Sequence, residues 1–326
     1  MRIHFMNVRT RHVRHVVAVF MLFALTLSES ALSQHWPARE IKLYVPLSAG
    51  SSVDTLARAV VPAMAAQLKQ SILVENRPGA EGAIASDLTR KAPADGYTLM
   101  VAYPGHALNV TLYPNLPYDA LKDFTPIALI ATNRNALVVR VDSPIKSVSE
   151  LITFAKSNPD KLSFGNGGGT SGGSGDLLNL MAGIQTAAIT YKGAAEAQND
   201  LLGGRLDFMF TAMSTARPMV ADGRLRALAL TGTTRHPKFP DLPNVAETVP
   251  GYETSGWYGL AGPSGLPKPI VDALISALHA ALQTDAVQKR LAFLEFDSAP
   301  KGTSEEFNSL IRSEIKKWAQ VLKPRN

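Results

Sequence analysis

Residues 41–58 read IKLYVPLSAGSSVDTLAR. The first five alternate in polarity and favour β-branched and aromatic types, the pattern of a half-buried strand. Pro46 and Gly50 break that run, and Val53, Leu56, Ala57, Val60, Met64 and Leu68 then recur at helical spacing through residue 69. Strand, glycine-bearing loop and helix together form the unit of sheets covered by helices on both faces. The unit also points loop amides and the helix's first N–H groups at one ligand-sized space.

Working outward, the alternation continues. Further strands are expected at 71–75, 97–102, 127–130, 137–141, 161–164, 187–190, 206–210, 226–231 and 257–261, with helical runs between most of them. Parallel sheets follow from that order, and ten or so strands predict two lobes rather than one doubly wound sheet. Ser147 with Glu150, and Thr303 with Glu306, have capping-box spacing. Prolines 237, 240, 243 and 250 mark a long connection. Ile270, Leu274, Leu278 and Leu282 stripe one helix, and Phe307, Leu310, Ile311, Ile315 and Trp318 stripe the last.

The first 33 residues read differently. Arg2, Arg9, Arg11 and Arg14 precede a twelve-residue apolar run at 16–27, followed by small Ala31 and Ser33 at cleavage-site spacing. That order predicts a secretory signal peptide over 1–33, since twelve residues are too few to span a bilayer. Cleavage there removes four arginines and Glu29, so the formal charge of +6 falls to +3. With no basic stripe, nucleic acid is not an expected partner. The absence of cysteine excludes disulfides, thiolate metal sites and a lipid-modified cysteine. No second stretch approaches membrane length, so the mature chain is expected to be soluble and monomeric.

A second loop of the same kind is GNGGGTSGGSGD at 165–176, with seven glycines in twelve residues. Three chemistries compete for it. A nucleotide phosphate loop needs a lysine at its end, and none lies between Lys161 and Lys192. A Gly-x-Gly-x-x-Gly pattern can be traced through Gly165 and Gly167, as through any run so rich in glycine. Gly169, Ser171 and Gly173 fit the nucleophile pattern Gly-x-Ser-x-Gly of a secreted α/β serine hydrolase. That reading wants a histidine; His236 sits in the proline-rich connection and His279 in a helix, and both read as surface residues. His106, His236 and His279 have no metal-ligand spacing, so neither a metal nor a cofactor is expected. The third chemistry is a small anion held by backbone amides at a helix start. The loops at 47–54 and 165–176 offer that arrangement twice, facing a common cleft. Asp54 is either a ligand contact or a helix cap paired with Arg58.

Residues 41–58, followed by VENRPGAEGAIASDLTRKAPADGYTLMVA at 74–102, resemble the Bordetella uptake gene (Bug) receptors, the substrate-binding proteins of tripartite tricarboxylate transporters. YPNLPY at 113–118 with Asp123 and Phe124, YKG at 191–193, LLGG at 201–204 and GRLRAL at 223–228 extend the match. PDLPNVAE at 240–247, PGY at 250–252 and WYG at 257–259 carry it on. The resemblance implies a type II periplasmic binding protein, a Venus flytrap of two doubly wound α/β lobes joined by a two-strand hinge. Its lobes would be 34–138 with 255–326, and 139–254. It implies a periplasmic receptor, not an enzyme, that closes on a small organic acid and hands it to membrane transporter subunits; a sensor feeding a signalling system is the alternative. The expected contact set is Leu47, Ser48, Ala49, Gly50, Ser52 and Asp54, then Tyr103 and His106. The second lobe adds Gly165, Asn166, Gly167, Gly168, Thr170, Ser171, Thr190, Tyr191, Lys192, Gly193 and Thr211. Two departures bear on the ligand: Thr211 replaces the aspartate usual in such receptors, and Thr190 replaces a proline. An aspartate at 211 could pair with a ligand ammonium, so its loss points away from an amino-acid ligand.

Overall fold

Strand β1 (Ile41–Val45) buries Ile41, Leu43 and Val45 and exposes Lys42, as its alternation requires. The computed structural model describes residues 36–167, 169–191, 193–299 and 301–322; residues 1–33, expected to be a signal peptide, and Gly168 and Lys192 lie outside them. β1 runs parallel between β2 (Ile72–Asn76) and β3 (Thr98–Ala102). Helix α1 (Ser52–Leu68) connects β1 to β2 and buries Val53, Leu56, Ala57, Val60 and Met64. Ser51 starts it by accepting the Asp54 amide, and Lys69 ends it in the left-handed region at φ 55°. Helices α2 (Ala83–Arg90) and α3 (Pro104–Leu112) follow β2 and β3.

Beyond β3 the sheet is not parallel. The full order is β2-β1-β3-β9-β4-β7-β5-β6, with β9 (Ser255–Pro263) and β4 (Phe124–Arg140) antiparallel at its centre. β5 (Ser163–Asn166), β6 (Ala187–Thr190) and β7 (Phe208–Ala212) form the far side, where β5 is parallel to both neighbours. β8 (Leu225–Leu230) and β10 (Asp297–Ser298) also pair with β4. Helices α4 (Val148–Ser157), α5 (Gly169–Ala182), α6 (Ala194–Leu202) and α7 (Met213–Ala221) belong to the far half. α8 (Lys268–Leu282), α9 (Asp285–Phe293) and α10 (Ser304–Val321) follow β9.

The strands expected at 127–130 and 137–141 are one strand of 17 residues, β4. Its first part pairs with β9 as far as Arg134 opposite Ser255, and from Asn135 onward it pairs with β7 and β8. The change of partner falls inside the segment 34–138 expected for the first lobe. The second crossing lies alongside, where Thr231 donates its amide to the Asn135 carbonyl at 3.0 Å and Thr254 donates to Thr231 at 3.3 Å. The sequence hid this continuity because Asn133 and Asn135 interrupt the apolar run. Both are buried, facing the cleft rather than a core.

Each half has its own core. Near β3 it gathers Met100, Tyr118, Phe124, Trp257, Phe307 and Ile311. The far half is packed on both faces of its sheet, with Phe164, Phe208, Phe210 and Tyr252 on one side and Val138, Leu201, Met209 and Met213 on the other. Each such apolar side chain contributes about 1.5–3 kcal/mol on burial. Helix α10 touches both halves. Its Trp318 is fully buried on Leu108 and Leu112 of α3, and the indole lies against Gly173 of α5. Glu314, also buried, accepts the indole N–H groups of Trp318 at 2.9 Å and Trp257 at 3.3 Å.

The glycine run therefore divides in a way the sequence did not show. Gly165 lies within β5, which ends at Asn166, and α5 begins at Gly169, so the later glycines are helical. A Cβ at 165 would meet Leu206 at 2.7 Å, at 173 Trp318 at 2.5 Å, and at 175 Phe164 at 2.2 Å. At those three positions glycine admits the protein's own side chains, not a ligand.

Candidate functional site

Five helices, among the described residues, begin in the walls of one cavity of about 850 Å³. Ser51 and Ser52 start α1, Tyr103 and Pro104 start α3, and Thr170 and Ser171 lie in the first turn of α5. Gly193 and Ala194 start α6, and Ala212 precedes α7. The first N–H groups of a helix have no intrahelical acceptor, and the helix dipole adds positive potential there. No lysine, arginine or histidine lines the cavity among the described residues, and its one carboxylate is that of Glu81. Among the described lining residues, the groups suited to meeting an anion are main-chain amides and hydroxyls.

The loop between β1 and α1 is fixed from behind. Asp54 accepts the Gly50 amide at 2.9 Å, the Asn76 amide at 3.0 Å and the Arg58 guanidinium at 2.9 Å. Asn76 also donates to the Leu47 carbonyl at 2.9 Å, closing the loop at both ends. Burial opposes the charge on Asp54, but the Gly50 N–H, Asn76 and Arg58 outweigh it and hold the carboxyl below its ordinary range. Gly50 takes φ 80°, a left-handed turn that suits glycine. The cavity floor is polar: Tyr258 of β9 donates to the Ser52 hydroxyl at 3.3 Å, and Asn135 of β4 donates to the Thr170 hydroxyl at 3.3 Å.

Of the residues singled out in the sequence, Leu47, Ser48, Ala49, Gly50, Ser52, Tyr103, Gly167, Thr170, Ser171, Tyr191, Gly193 and Thr211 line this cavity. Asp54, His106, Gly165, Asn166 and Thr190 do not. Asp54 braces the loop instead, and Gly165 packs on Ala197 and Leu206. The Asn166 side chain lies over Gly172 at the start of α5, and Thr190 is solvent-exposed. His106 is a core residue between Tyr118, stacked at 5.7 Å, and Phe124, edge-on at 4.7 Å. Its Nε2 faces the Ala120 carbonyl at 3.0 Å and its Nδ1 the Ser86 hydroxyl at 3.3 Å, which fits a neutral ring donating through Nε2. Burial lowers its pKa to about 4, with the Ala120 contact only partly opposing.

The lining also includes residues that the sequence reading passed over: Pro78, Gly79, Ala80 and Glu81 after β2, Asn133 and Asn135 on β4, Gln198 and Asn199 on α6, Thr215 and Tyr258. Two of these had a signal in the sequence, since a buried strand carrying two asparagines asks what they face. Among the described residues, no histidine lines the cavity with Ser171. His236, read as a surface residue, is buried against Phe239 and accepts the Lys238 amide at 3.1 Å through Nδ1, and His279 bonds the Gly302 carbonyl at 3.0 Å.

The family model described as "Tripartite tricarboxylate transporter family receptor" matches residues 56–326. The chain belongs to that family. Members are periplasmic substrate-binding receptors rather than enzymes. Three solved structures are similar to this receptor. Periplasmic binding protein BugD is 31% identical, with a TM-score of 0.78 over 89% of this chain and 100% of its own. Rpa4515 of R. palustris, solved with adipate, is 34% identical with a TM-score of 0.79, covering 89% and 100% of the two chains. MatC (Rpa3494) of Rhodopseudomonas palustris, with bound malate, is 32% identical with a TM-score of 0.77, covering 88% and 99%. The receptor thus has the mixed α/β, two-lobed binding-protein fold, and two of these neighbours hold carboxylates.

Proposed function

We propose that the receptor captures a small organic acid in the cavity between its two lobes and delivers it to a membrane transporter of the tripartite tricarboxylate type. The reading includes export to the periplasm behind the signal segment, lobes that close about the β4 crossing, and no catalytic step. One observation carries it: five helix starts converge on a cavity whose described lining has no cationic side chain. Hydrogen bonds to a charged group contribute about 1.5–3 kcal/mol each, so three or four reach the roughly 8 kcal/mol of a micromolar complex. The adipate and malate of its neighbours support a carboxylate as the anion. A thermal-shift screen of the mature protein against mono-, di- and tricarboxylates and amino acids, followed by calorimetry, tests the reading. A carboxylate hit that raises the melting temperature in a dose-dependent way is expected; no response from any carboxylate would overturn it.

A further inference from the structure

A second cavity, of about 450 Å³, lies between α1 and α9. Ala59, Pro62, Ala63 and Val287 give it apolar walls, and Arg58 of α1 and Arg290 of α9 both line it. The one carboxylate in the lining is that of Asp54, so two arginines against one aspartate leave a charge of +1. Asp54 is also 5% exposed and already meets the Gly50 amide, Asn76 and Arg58. Arg58, 51% exposed, spends its Nε on Asp54 at 2.9 Å and Nη2 on Asn76 at 3.1 Å. Its Nη1 has no acceptor among the described residues. Arg290 pairs with no carboxylate among them either; its guanidinium lies 5.5 Å from the centroid of the Phe293 ring, which is 64% exposed. That cation–π contact steadies Arg290 beside the groove. The groove therefore joins planar cationic donors to apolar surface, whereas the described lining of the ligand cavity has no cationic side chain.

We propose that the groove between α1 and α9 docks an acidic segment of the membrane transporter, with a partner carboxylate met by Arg290 and the open edge of Arg58. The proposal rests on the reading of the protein as a receptor that delivers its ligand to such a partner. Guanidinium forks match carboxylates in shape as well as charge, and arginine and aromatic residues are the types that anchor protein interfaces. A lipid surface is better met by cations spread over a flat face; here two cations flank a concavity with apolar walls. Arg58 also ties the groove to the ligand cavity, because the Asp54 it holds accepts the amide of Gly50 in that cavity's wall. A docked carboxylate competes with Asp54 for Arg58, so docking slackens the loop that surrounds the ligand.

The test is calorimetry on the mature protein with the capped peptide acetyl-Leu-Glu-Ala-Glu-Leu-Glu-amide and its counterpart carrying Gln for every Glu. The acidic peptide should bind, and the neutral one should bind at least about tenfold more weakly. Arg290→Gln should weaken the acidic peptide by about tenfold, and Arg290→Glu should abolish its binding. Arg290 is exposed and holds no carboxylate, so neither variant endangers the fold. Asp54→Asn, which frees Arg58 and removes the acid from the groove, should tighten the acidic peptide severalfold. Equal binding of the two peptides, affinity that Arg290→Glu leaves unmoved, or no binding of the acidic peptide at millimolar concentration overturns the proposal. So does sedimentation with phosphatidylglycerol vesicles that Arg290→Glu removes while the peptide fails to bind, which would give the groove to a lipid surface. Each of these outcomes leaves the carboxylate reading standing, because Arg290 does not line the ligand cavity; that reading falls only with the thermal-shift screen.

Discussion

Lys238 places its ammonium 3.3 Å from the carboxylate of Glu295, joining the segment after β8 to the turn after α9. The other carboxylate oxygen of Glu295 lies 3.6 Å from the guanidinium of Arg217 on α7. The side chain of Glu295 is 6% exposed, whereas those of the two cations are 45% and 49% exposed. One shielded carboxylate therefore ties two cations of the far half to the near half. Arg134 and Asp297, 3.7 Å apart, stand beside the same junction.

Glu295→Gln should destabilise the ligand-free receptor by about 1–2 kcal/mol, between the worth of an exposed pair and the loss from breaking a buried one. It should also enlarge the radius of gyration in small-angle scattering, because the cross-tie favours the arrangement seen here. Urea denaturation at low and high salt checks the first effect. Curves that coincide with wild type at both would remove the tie.

The neutral His106 makes stability depend on pH. Its folded pKa, about 4, lies below the ordinary value of 6.5, so the unfolded chain takes up the proton first. Its contribution is complete above pH 6.5 and is lost as the pH falls toward 4, by about 3 kcal/mol at most. His106→Gln keeps a donor toward Ala120 and cannot titrate. Its stability should therefore fall less than that of wild type between pH 7 and about 4.5. Parallel losses would show that His106 is not the group responsible.

Asp54→Asn probes the brace behind the first loop. The neutral amide cannot accept three donors as the carboxylate does, so stability should drop by about 1–3 kcal/mol. Ligand affinity should weaken severalfold as the 47–50 segment loosens, although Asp54 does not line the cavity. The lowered carboxyl pKa carries the matching sign: the stabilisation is present above the ordinary carboxylate range and is lost as the pH falls through the folded value. Melting curves and calorimetry on the same preparation decide it; unchanged affinity would confine Asp54 to folding.

Gly173→Ala separates packing from recognition. The added methyl meets the Trp318 ring at 2.5 Å, an overpacking expected to cost about 1–3 kcal/mol. Folded protein should nevertheless bind ligand as wild type does. Trp318→Phe in the same chain should recover part of the loss. Lost affinity with intact stability would return that glycine to the binding surface.

The glycine run shows where reading a sequence stops. Composition located a close approach at 165–176 but not what approaches, because partners such as Leu206 and Trp318 come from distant parts of the chain. β1, α1 and the Thr303–Glu306 capping box were legible because local periodicity and capping chemistry determine them. The antiparallel insertion of β9 was not, since strand order depends on long-range pairing. Twelve of the cavity residues were within reach because they lie at or just beyond the ends of β-strands. Glu81 was not, although its motif was in plain view: only the backbone turn puts it in the wall.

The single strand β4 gives both halves a common register. A slip of one residue against β9 would turn over every side chain of its first half, and the same slip would carry through to β7 and β8. Asn133 and Asn135 would leave the cavity floor at the moment both cores lost their apolar faces. Neither half can then be excised as an autonomous folding piece, since each takes part of its sheet from the same unbroken segment. Insertions near Arg134 should be tolerated far worse than insertions of equal length in the proline-rich connection, where no sheet is shared.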